Sequence, residues 1–215
     1  GQTVSSVGHA SYVGETTIAP AEGESGKVPW LQLIVPGRNE PNYSADGLVY
    51  VMGTKFRPLD AARLRNGQLL GLSVAASALS EAIPYALEKG FDLLLLDGTA
   101  GVELPWAELG GAPDLTAMRD ALDILRKLSR EEEIDLLYFG GLRSGTDVAK
   151  VLAVNCKAGV FGVAMGIAMG GVIEKGRMTF QNGLNLGERR QAAENWIKGS
   201  AQETAIMASC TGKTN

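Results

Sequence analysis

Histidine and cysteine, the side chains that most often bind metals or act as nucleophiles, are scarce in this sequence of 215 residues. His9 is the single histidine, and Cys156 and Cys210 are the only cysteines. A four-ligand zinc site or a cysteine-bound iron–sulfur cluster cannot be assembled from this inventory by the standard ligands. We therefore expect both cysteines to be buried or half-buried thiols.

Excess positive charge and long apolar runs are lacking as well. Lys and Arg number 20 against 24 Asp and Glu, a formal net charge of -4, so no basic excess would attract nucleic acid or an anionic membrane. No apolar segment reaches the roughly 18 residues that cross a bilayer. The first residues have neither the basic region nor the apolar core of a signal peptide. We expect a cytoplasmic protein without nucleic-acid or membrane partners.

Short apolar runs alternate with helical patterns along most of the chain. The runs are apolar at successive positions, as in parallel strands buried on both faces. They lie at 31–35, 47–52, 69–74, 92–96, 136–139 and 160–164. Helical periods occur between them at 77–89 and 115–128. This rhythm predicts βα units.

The strand count predicts an α/β fold, a parallel (β/α)8 barrel of the TIM type that is incomplete at its N-terminus. A weaker candidate at 16–20 brings the predicted strands to seven, one short of a closed barrel. Either another strand lies in the glycine-rich first residues or the sequence begins within a longer parent. We expect residues 1–215 to form a single domain, with 1–27 irregular and 186–215 a C-terminal helical segment. An open doubly wound sheet is the competing architecture.

Two consecutive predicted strands end in glycine-rich turns that lead into helices. The residues of these turns are Gly140, Gly141, Arg143 and Ser144 in the first, and Gly162, Val163 and Ala164 in the second. Glycine lets the backbone approach an anion, and Arg143 can add a charge-assisted bond. Barrels commonly build a phosphate site from the loops after their last two strands. The pair of turns therefore favours a phosphate site, although either turn alone would favour an ordinary tight turn.

Asp97 is the best candidate for a reacting carboxylate, because it ends an apolar strand and precedes the small residues Gly98 and Thr99. It could act as a base or bind a substrate hydroxyl, with Gly98 and Thr99 lying over the same face. It could equally cap its own loop by accepting backbone N–H bonds. Lys55, in the loop after another strand, is a candidate for meeting an anionic substrate, and a solvated basic loop is the alternative.

The stretch 92–171 resembles the FMN-binding barrel domain of glutamate synthase, often called glutamate synthase domain 2. The motifs LLLLDGTAG, GGAPDLTAMRDAL, YFGGLRSGTDVAKVLA and GVFGVAMGIAMGG occur in that family's order, and TTIAPAEG, WLQLIVPGR and GLVYVMGTKFRP are weaker counterparts. The glycine pattern is shared with other flavin and nucleotide barrels, including the inosine monophosphate dehydrogenase type. The resemblance implies a barrel that holds FMN and reduces the imine of 2-oxoglutarate and ammonia to glutamate. It places Gly140, Gly141, Arg143, Gly162 and Val163 around the flavin phosphate.

The sequence departs from the family pattern at three points, of which the first two favour a second hypothesis. Gly71 stands where the family has a lysine near the flavin, the cysteine cluster for a 3Fe–4S centre has no match at 171–175, and no counterpart of the amidotransferase domain is present. We therefore expect no iron–sulfur cluster in this chain. Separate amidotransferase or electron-donor subunits are expected partners, as is association with further copies of itself. The second hypothesis is a catalytically degenerate phosphate- or flavin-binding barrel that acts as a binding or scaffolding subunit.

Overall fold

Six strands form one parallel sheet whose order follows the order of the chain. The computed structural model describes residues 30–99, 105–180 and 183–210. Its parallel strands are β1 (Leu31–Ile34), β2 (Gly47–Gly53), β3 (Leu69–Ala75), β4 (Leu93–Asp97), β5 (Asp135–Phe139) and β6 (Ala158–Val160). A doubly wound sheet reverses its order at a switch point, whereas a barrel wall does not. The sheet is an incomplete barrel, as predicted, and the open-sheet alternative is wrong.

Helices follow most of the strands. They are α1 (Leu79–Glu88), α2 (Pro105–Leu109), α3 (Leu115–Lys127), α4 (Gly145–Ala153), α5 (Val163–Ala168) and α6 (Leu186–Cys210). The side chain of Asp114 caps α3 by accepting a 3.0 Å hydrogen bond from the N–H of Ala117. Two further strands, β7 (Gly171–Glu174) and β8 (Arg177–Phe180), form a separate antiparallel hairpin. No helix in the described part of the chain combines the length and apolar character of a membrane span.

Both faces of the parallel sheet are buried, which explains why its strands read as continuous apolar runs. On the outer face, side chains such as Leu72 and Leu94 pack with Ile83 of α1 and Met118 of α3, all of them inaccessible to solvent. On the inner face lies a second, smaller cluster of buried side chains, namely Leu33, Val49, Leu93 and Leu95. The helices therefore lie outside the sheet, as they do around a barrel wall.

The predicted boundaries differ from the structure mainly at the last parallel strand. The strand predicted at 160–164 is wrong, because β6 ends at Val160 and Val163 already begins α5. Gly162 is the N-cap of that helix, and its carbonyl accepts a 2.9 Å hydrogen bond from the N–H of Gly166. A short apolar run does not distinguish a strand from a buried helical turn. The predicted strand at 16–20 and the irregular segment 1–27 lie outside the described residues.

The C-terminal helix α6 packs against α4 and α5. The ring of Trp196 meets Phe161 edge-on, with centroids 4.6 Å apart and planes at 82°. At Gly145, the first residue of α4, a Cβ atom would overlap the carbonyl oxygen of Ser200. The absence of a side chain at Gly145 is thus what allows α6 to approach the start of α4.

Candidate functional site

The loops that carry most of the candidate residues share one edge of the sheet. All six strands are parallel, so their carboxyl ends meet at this edge. The loop after β5 contains Gly140 and Gly141, and the loop after β6 contains Gly162. The two strands are neighbours, which brings the two glycine turns side by side.

Glu108, in the short helix α2, joins these two turns. Its backbone carbonyl accepts a hydrogen bond from the N–H of Gly141 at 2.6 Å. Its carboxylate accepts two more, from the N–H of Gly162 to Oε1 at 2.6 Å and from the N–H of Val163 to Oε2 at 2.8 Å. We call this set of contacts the Glu108 clasp. The backbone donors of the second turn are thus bonded to a carboxylate of the chain itself.

The Glu108 carboxyl group is buried, and only 4% of the residue is exposed. Burial raises the pKa of Glu108, because a charged carboxylate is poorly solvated there, while the hydrogen bonds from Val163 and Gly162 favour the charged form. Burial outweighs the two bonds, so the pKa lies above its ordinary value. Such a group is easier to neutralise than an exposed glutamate.

The two glycines after β5 have backbone angles that other residues rarely adopt, with φ of 108° at Gly140 and 69° at Gly141. A Cβ at Gly141 would lie 2.6 Å from the backbone carbon of Ala112. A Cβ at Gly140 would lie 3.1 Å from the backbone nitrogen of Thr99. Glycine at both positions therefore allows the loops after β4 and β5 and the start of α3 to meet.

Arg143 is turned toward its own helix. Its backbone N–H and its Nε both donate to Oδ2 of Asp147, at 3.2 and 3.1 Å, and Lys150 Nζ donates to Oδ1 at 2.8 Å. Burial alone would raise the pKa of Asp147, but the bonds from Arg143 and Lys150 hold it below its ordinary value. Arg143 therefore neutralises a buried carboxylate in this structure, and half of its side chain is exposed. Ser144 is the N-cap of α4, and its side chain makes no capping bond.

A second glutamate caps the helix that follows the first turn. The N–H of Gly145 donates to Oε2 of Glu203 in α6 at 2.8 Å, and the Thr146 hydroxyl donates to Oε1. The bond from Thr146 is the main reason that the pKa of Glu203 is lowered. Thr204 adds a 2.9 Å bond from its hydroxyl to the carbonyl of Gly145. Backbone N–H groups that follow both glycine turns thus donate hydrogen bonds to carboxylates from distant parts of the chain.

Asp97 lies beside the first turn, in a loop-capping geometry. Its Oδ1 accepts hydrogen bonds from the N–H of Thr99 at 2.9 Å and from the Thr99 hydroxyl at 2.6 Å. Gly98 donates its N–H to the carbonyl of Phe139 at 2.7 Å, which fixes this loop against β5. The structure therefore brings Asp97, Gly98 and Thr99 next to Gly140.

Two other predicted site residues lie elsewhere along the edge or on a helix. Lys55 is exposed in the loop after β2, and β3 and β4 separate that strand from β5. Ala164 belongs to the first turn of α5 and not to a strand end. Neither position makes a contact with the Glu108 carboxylate comparable to those of Gly162 and Val163.

Gly71 lies on the inner face of the sheet, in one row with Val49 and Leu93. A Cβ atom at Gly71 would overlap Cδ1 of Leu93 and would lie 2.9 Å from Cγ2 of Val49. The two neighbouring side chains fill the space above the glycine. A lysine at this position, where the family resemblance expects one, would therefore require Leu93 and Val49 to shift.

Sequence reasoning missed Glu108 and Glu203. Glu108 lies 54 positions before Gly162, and Glu203 lies 58 positions after Gly145. Glu203 follows no predicted strand, and Glu108, although it lies in the connection after the predicted strand at 92–96, does not stand at the strand end, where barrel enzymes often place reacting groups. The one local signal for Glu108 was a carboxylate within the apolar sequence WAEL.

Comparisons with known proteins agree with this architecture. The family model described as a conserved region in glutamate synthase matches residues 67–187. A protein of Rhizobium meliloti (strain 1021), named glutamate synthase large subunit-like protein, is 33% identical over 118 residues. That match covers 53% of this chain and 26% of the relative, so the chain corresponds to a minor part of that protein's length.

Solved structures with a similar fold include three flavoprotein structures. A mutant flavocytochrome b2 with pyruvate bound has a TM-score of 0.53 at 13% identity, covering 89% of this chain and 59% of that one. The flavin-binding domain of baker's yeast flavocytochrome b2 gives 0.51 at 14%, covering 88% and 59%. A mutant mandelate oxidase with an FMN adduct gives 0.52 at 14%, covering 86% and 59%. At these identities the similarity establishes the fold.

Proposed function

This chain belongs to the glutamate synthase family, and we propose that it forms part of the FMN-binding barrel of a glutamate synthase-type oxidoreductase that acts on an amino or oxo acid. The family match over residues 67–187 supports this, together with the name of the Rhizobium meliloti relative. A protein of similar fold, mandelate oxidase, carries an FMN adduct. When bound, FMN supplies electron or hydride transfer.

The observation that carries the proposal is the meeting of the two glycine turns at one edge of the sheet. The N–H groups of Gly162 and Val163 converge on a single anionic group, the Glu108 carboxylate. Converging backbone N–H groups next to a parallel strand end are a recurring phosphate-binding arrangement. The turn after β5 lies against them through the bond from Gly141 to Glu108.

The fit to the FMN phosphate depends on Glu108. The backbone donors suit a phosphate in chemical type, but both carboxylate oxygens of Glu108 already accept bonds from them. The arrangement therefore does not fit a phosphate while the Glu108 clasp is in place, and it fits one after the carboxylate has withdrawn. Asp97 and Thr99 lie at the same edge and would face the part of a ligand nearest to Gly140.

We also propose the partners of this protein and its location in the cell. Reduction of an oxo acid needs an electron supply, and incorporation of ammonia needs its source. We assign both tasks to separate electron-donor and amidotransferase subunits, in the cytoplasm. The exposed Lys55 is the candidate contact for an anionic substrate.

A second function, that of a catalytically degenerate binding or scaffolding subunit, is favoured by one specific observation. In the row Val49, Gly71 and Leu93, the neighbouring side chains cover the glycine so closely that a side chain at Gly71 would require them to shift. A reduced flavin is anionic and is stabilised by a nearby cation. A barrel that lacks this cation can keep a ligand and lose the reaction.

One experiment separates the two functions. The purified protein is incubated with FMN, freed of unbound flavin and examined for the visible absorption bands of oxidised flavin. It is then reduced chemically and mixed with 2-oxoglutarate and ammonium. Retained flavin that is reoxidised with formation of glutamate supports the oxidoreductase. Retained flavin that stays reduced supports the scaffold, and the absence of retained flavin at saturating FMN would refute the oxidoreductase and leave only a binding subunit without flavin.

A further inference from the structure

We propose that Glu108 sets the affinity of this protein for phosphate esters, because its carboxylate holds the backbone donors that a phosphate needs and must withdraw before the phosphate binds. The inference rests on the proposed function, since it concerns the same pair of turns. It assigns to Glu108 the selection between phosphorylated and unphosphorylated forms of one ligand.

The Glu108 carboxylate and a phosphate compete for the same backbone donors. The N–H groups of Gly162 and Val163 each donate to one oxygen of Glu108, at 2.6 and 2.8 Å. A backbone N–H has one proton to donate. A Cβ added to Gly162 would itself lie 2.7 Å from Oε2 of Glu108, so the carboxylate sits directly against the turn and leaves no room for a second group.

Electrostatic repulsion also keeps a phosphate and the Glu108 carboxylate from occupying the turn together. A phosphate monoester carries a charge of about -1.5 to -2 at neutral pH. Two anions a few ångströms apart in a poorly solvated place repel strongly. Glu108 is 4% exposed, so water screens this repulsion poorly. The two groups therefore exclude one another by charge as well as by space.

Glu108 can withdraw without disrupting the parallel sheet. It belongs to α2, a helix of five residues outside the parallel sheet. Three hydrogen bonds attach Glu108 to the turns, one from Gly141 and two to the carboxylate. The phosphate replaces the carboxylate at two of these donors. Leaving the clasped state still costs free energy. The apparent affinity for phosphate therefore equals the intrinsic affinity multiplied by the fraction of molecules in which Glu108 has withdrawn.

Loss of the Glu108 clasp should favour phosphorylated ligands selectively, because only a phosphorylated ligand needs the clasped donors. FMN and riboflavin share the flavin ring and differ in the phosphate. In the variant Glu108→Gln, the side-chain NH2 group replaces one carboxylate oxygen and faces one of the two backbone N–H donors. It cannot accept a hydrogen bond from that donor. The clasp is therefore weakened, although the side chain keeps nearly the same size and shape. The matched control is Glu132→Gln, which removes the same charge from an exposed position.

The test is a fluorescence titration of wild type, Glu108→Gln and Glu132→Gln with FMN and with riboflavin. Loss of one charge-assisted bond from the clasp should strengthen FMN binding by at least about tenfold in Glu108→Gln. Riboflavin affinity should be the same in all three proteins, and Glu132→Gln should bind FMN as the wild type does. Equal or weaker FMN binding by a folded Glu108→Gln would overturn the inference.

Binding of inorganic phosphate, followed through the amide resonances of Gly162 and Val163, distinguishes a failure of this inference from a failure of the proposed function. If Glu108→Gln binds phosphate more tightly than the wild type but retains no FMN, the role of Glu108 stands and the flavin function is refuted. If all proteins bind FMN equally, the flavin function stands and the role of Glu108 is refuted. If Glu108→Gln binds neither phosphate nor FMN, both are refuted.

A measurement on the wild type keeps the inference testable even if Glu108→Gln does not fold. Withdrawal of Glu108 moves α2, so saturating FMN should accelerate amide hydrogen exchange in residues 106–109, and saturating riboflavin should not. Thermal melting of each variant shows beforehand that it is folded. Identical exchange of this helix with FMN and with riboflavin would contradict the inference.

Discussion

The backbone N–H of Gly145 donates a hydrogen bond to Oε2 of Glu203, 2.8 Å away and 58 positions later in the chain. The relationship between Glu108 and Gly162 is of the same kind, over 54 positions. In each case a glutamate from a helix outside the sheet accepts bonds from the backbone that follows a parallel strand. The backbone donors of the two glycine turns are therefore bonded to carboxylates of the chain itself.

The docking of α6 on α4 predicts that Gly145→Ala destabilises the protein. The new Cβ would overlap the Ser200 carbonyl and lie 2.8 Å from Cβ of Glu203, so α6 must shift away. Overpacking of this kind typically costs about 1–3 kcal/mol in the free energy of unfolding. Chemical denaturation monitored by circular dichroism measures the change.

The matched control is Gly199→Ala, one residue before Ser200 in α6. A Cβ there meets nothing within 4 Å, and alanine is about 0.8–1.0 kcal/mol more favourable than glycine within a helix. We therefore expect Gly199→Ala to stabilise the protein while Gly145→Ala destabilises it. Equal effects of the two substitutions would mean that α6 is not docked on Gly145.

The pKa of Glu108 predicts a pH dependence of stability. Because burial raises this pKa in the folded state, the folded chain binds the proton more tightly than the unfolded chain. The contribution of Glu108 is therefore most favourable below its unfolded pKa, about 4.3, and it declines as pH rises through the folded pKa. Relative to Glu108→Gln, the wild type should lose stability over this window in denaturation curves recorded at successive pH values. A difference that stays constant, or that grows with pH, would contradict the burial of this carboxylate.

The two cysteines should differ in reactivity toward iodoacetamide. Cys156 is buried, and desolvation raises the pKa of its thiol to about 11, so little thiolate forms at neutral pH. Cys210 is exposed at the end of α6. Mass spectrometry of the folded protein should show labelling at Cys210 alone, with Cys156 labelled only in denaturant. Rapid labelling of Cys156 in the folded state would mean that the α4 side of the core is open.

The close packing of Val49 and Leu93 over Gly71 predicts that Gly71→Ala destabilises the protein. The free energy of unfolding should fall by about 1–3 kcal/mol, the usual range for overpacking. Truncation of the neighbour that it would strike, Leu93→Ala, should cost about 2–5 kcal/mol alone. Because the second change makes room for the first, the double variant should be less destabilised than the sum. Additive effects in a double-mutant cycle would show that Leu93 does not cover Gly71.

Most of the barrel wall was predictable from the sequence, because strands buried on both faces leave continuous apolar runs. The strands around Leu48, Leu72, Leu94 and Tyr138 were found within two residues of their observed ends. The error at 160–164 has a physical reason. Val163 is apolar in a strand or in a helix alike, and the hydrogen bond that begins α5 at Gly162 is not visible in an apolar pattern.

Only the backbone hydrogen-bond donors of the candidate site were predictable from the sequence. Glycine at 140, 141 and 162 indicated where the backbone could approach an anion, and the structure places these turns side by side. The acceptors could not be predicted, since Glu108 and Glu203 reach the turns through tertiary packing across more than fifty positions. The role expected of Arg143 likewise depended on Asp147, a buried carboxylate one helical turn away that competes for its guanidinium group.

The proposed role of Glu108 depends on the contact between its carboxylate and the N–H groups of Gly162 and Val163. A pH titration of these two amide resonances in 15N-labelled protein tests it most directly, because a hydrogen-bonded amide proton shifts when its acceptor carboxylate ionises. Both resonances should titrate with one common midpoint that lies above the ordinary pKa of a glutamate side chain, and the transition should disappear in Glu108→Gln. Resonances that do not titrate, or that titrate unchanged in Glu108→Gln, would contradict it.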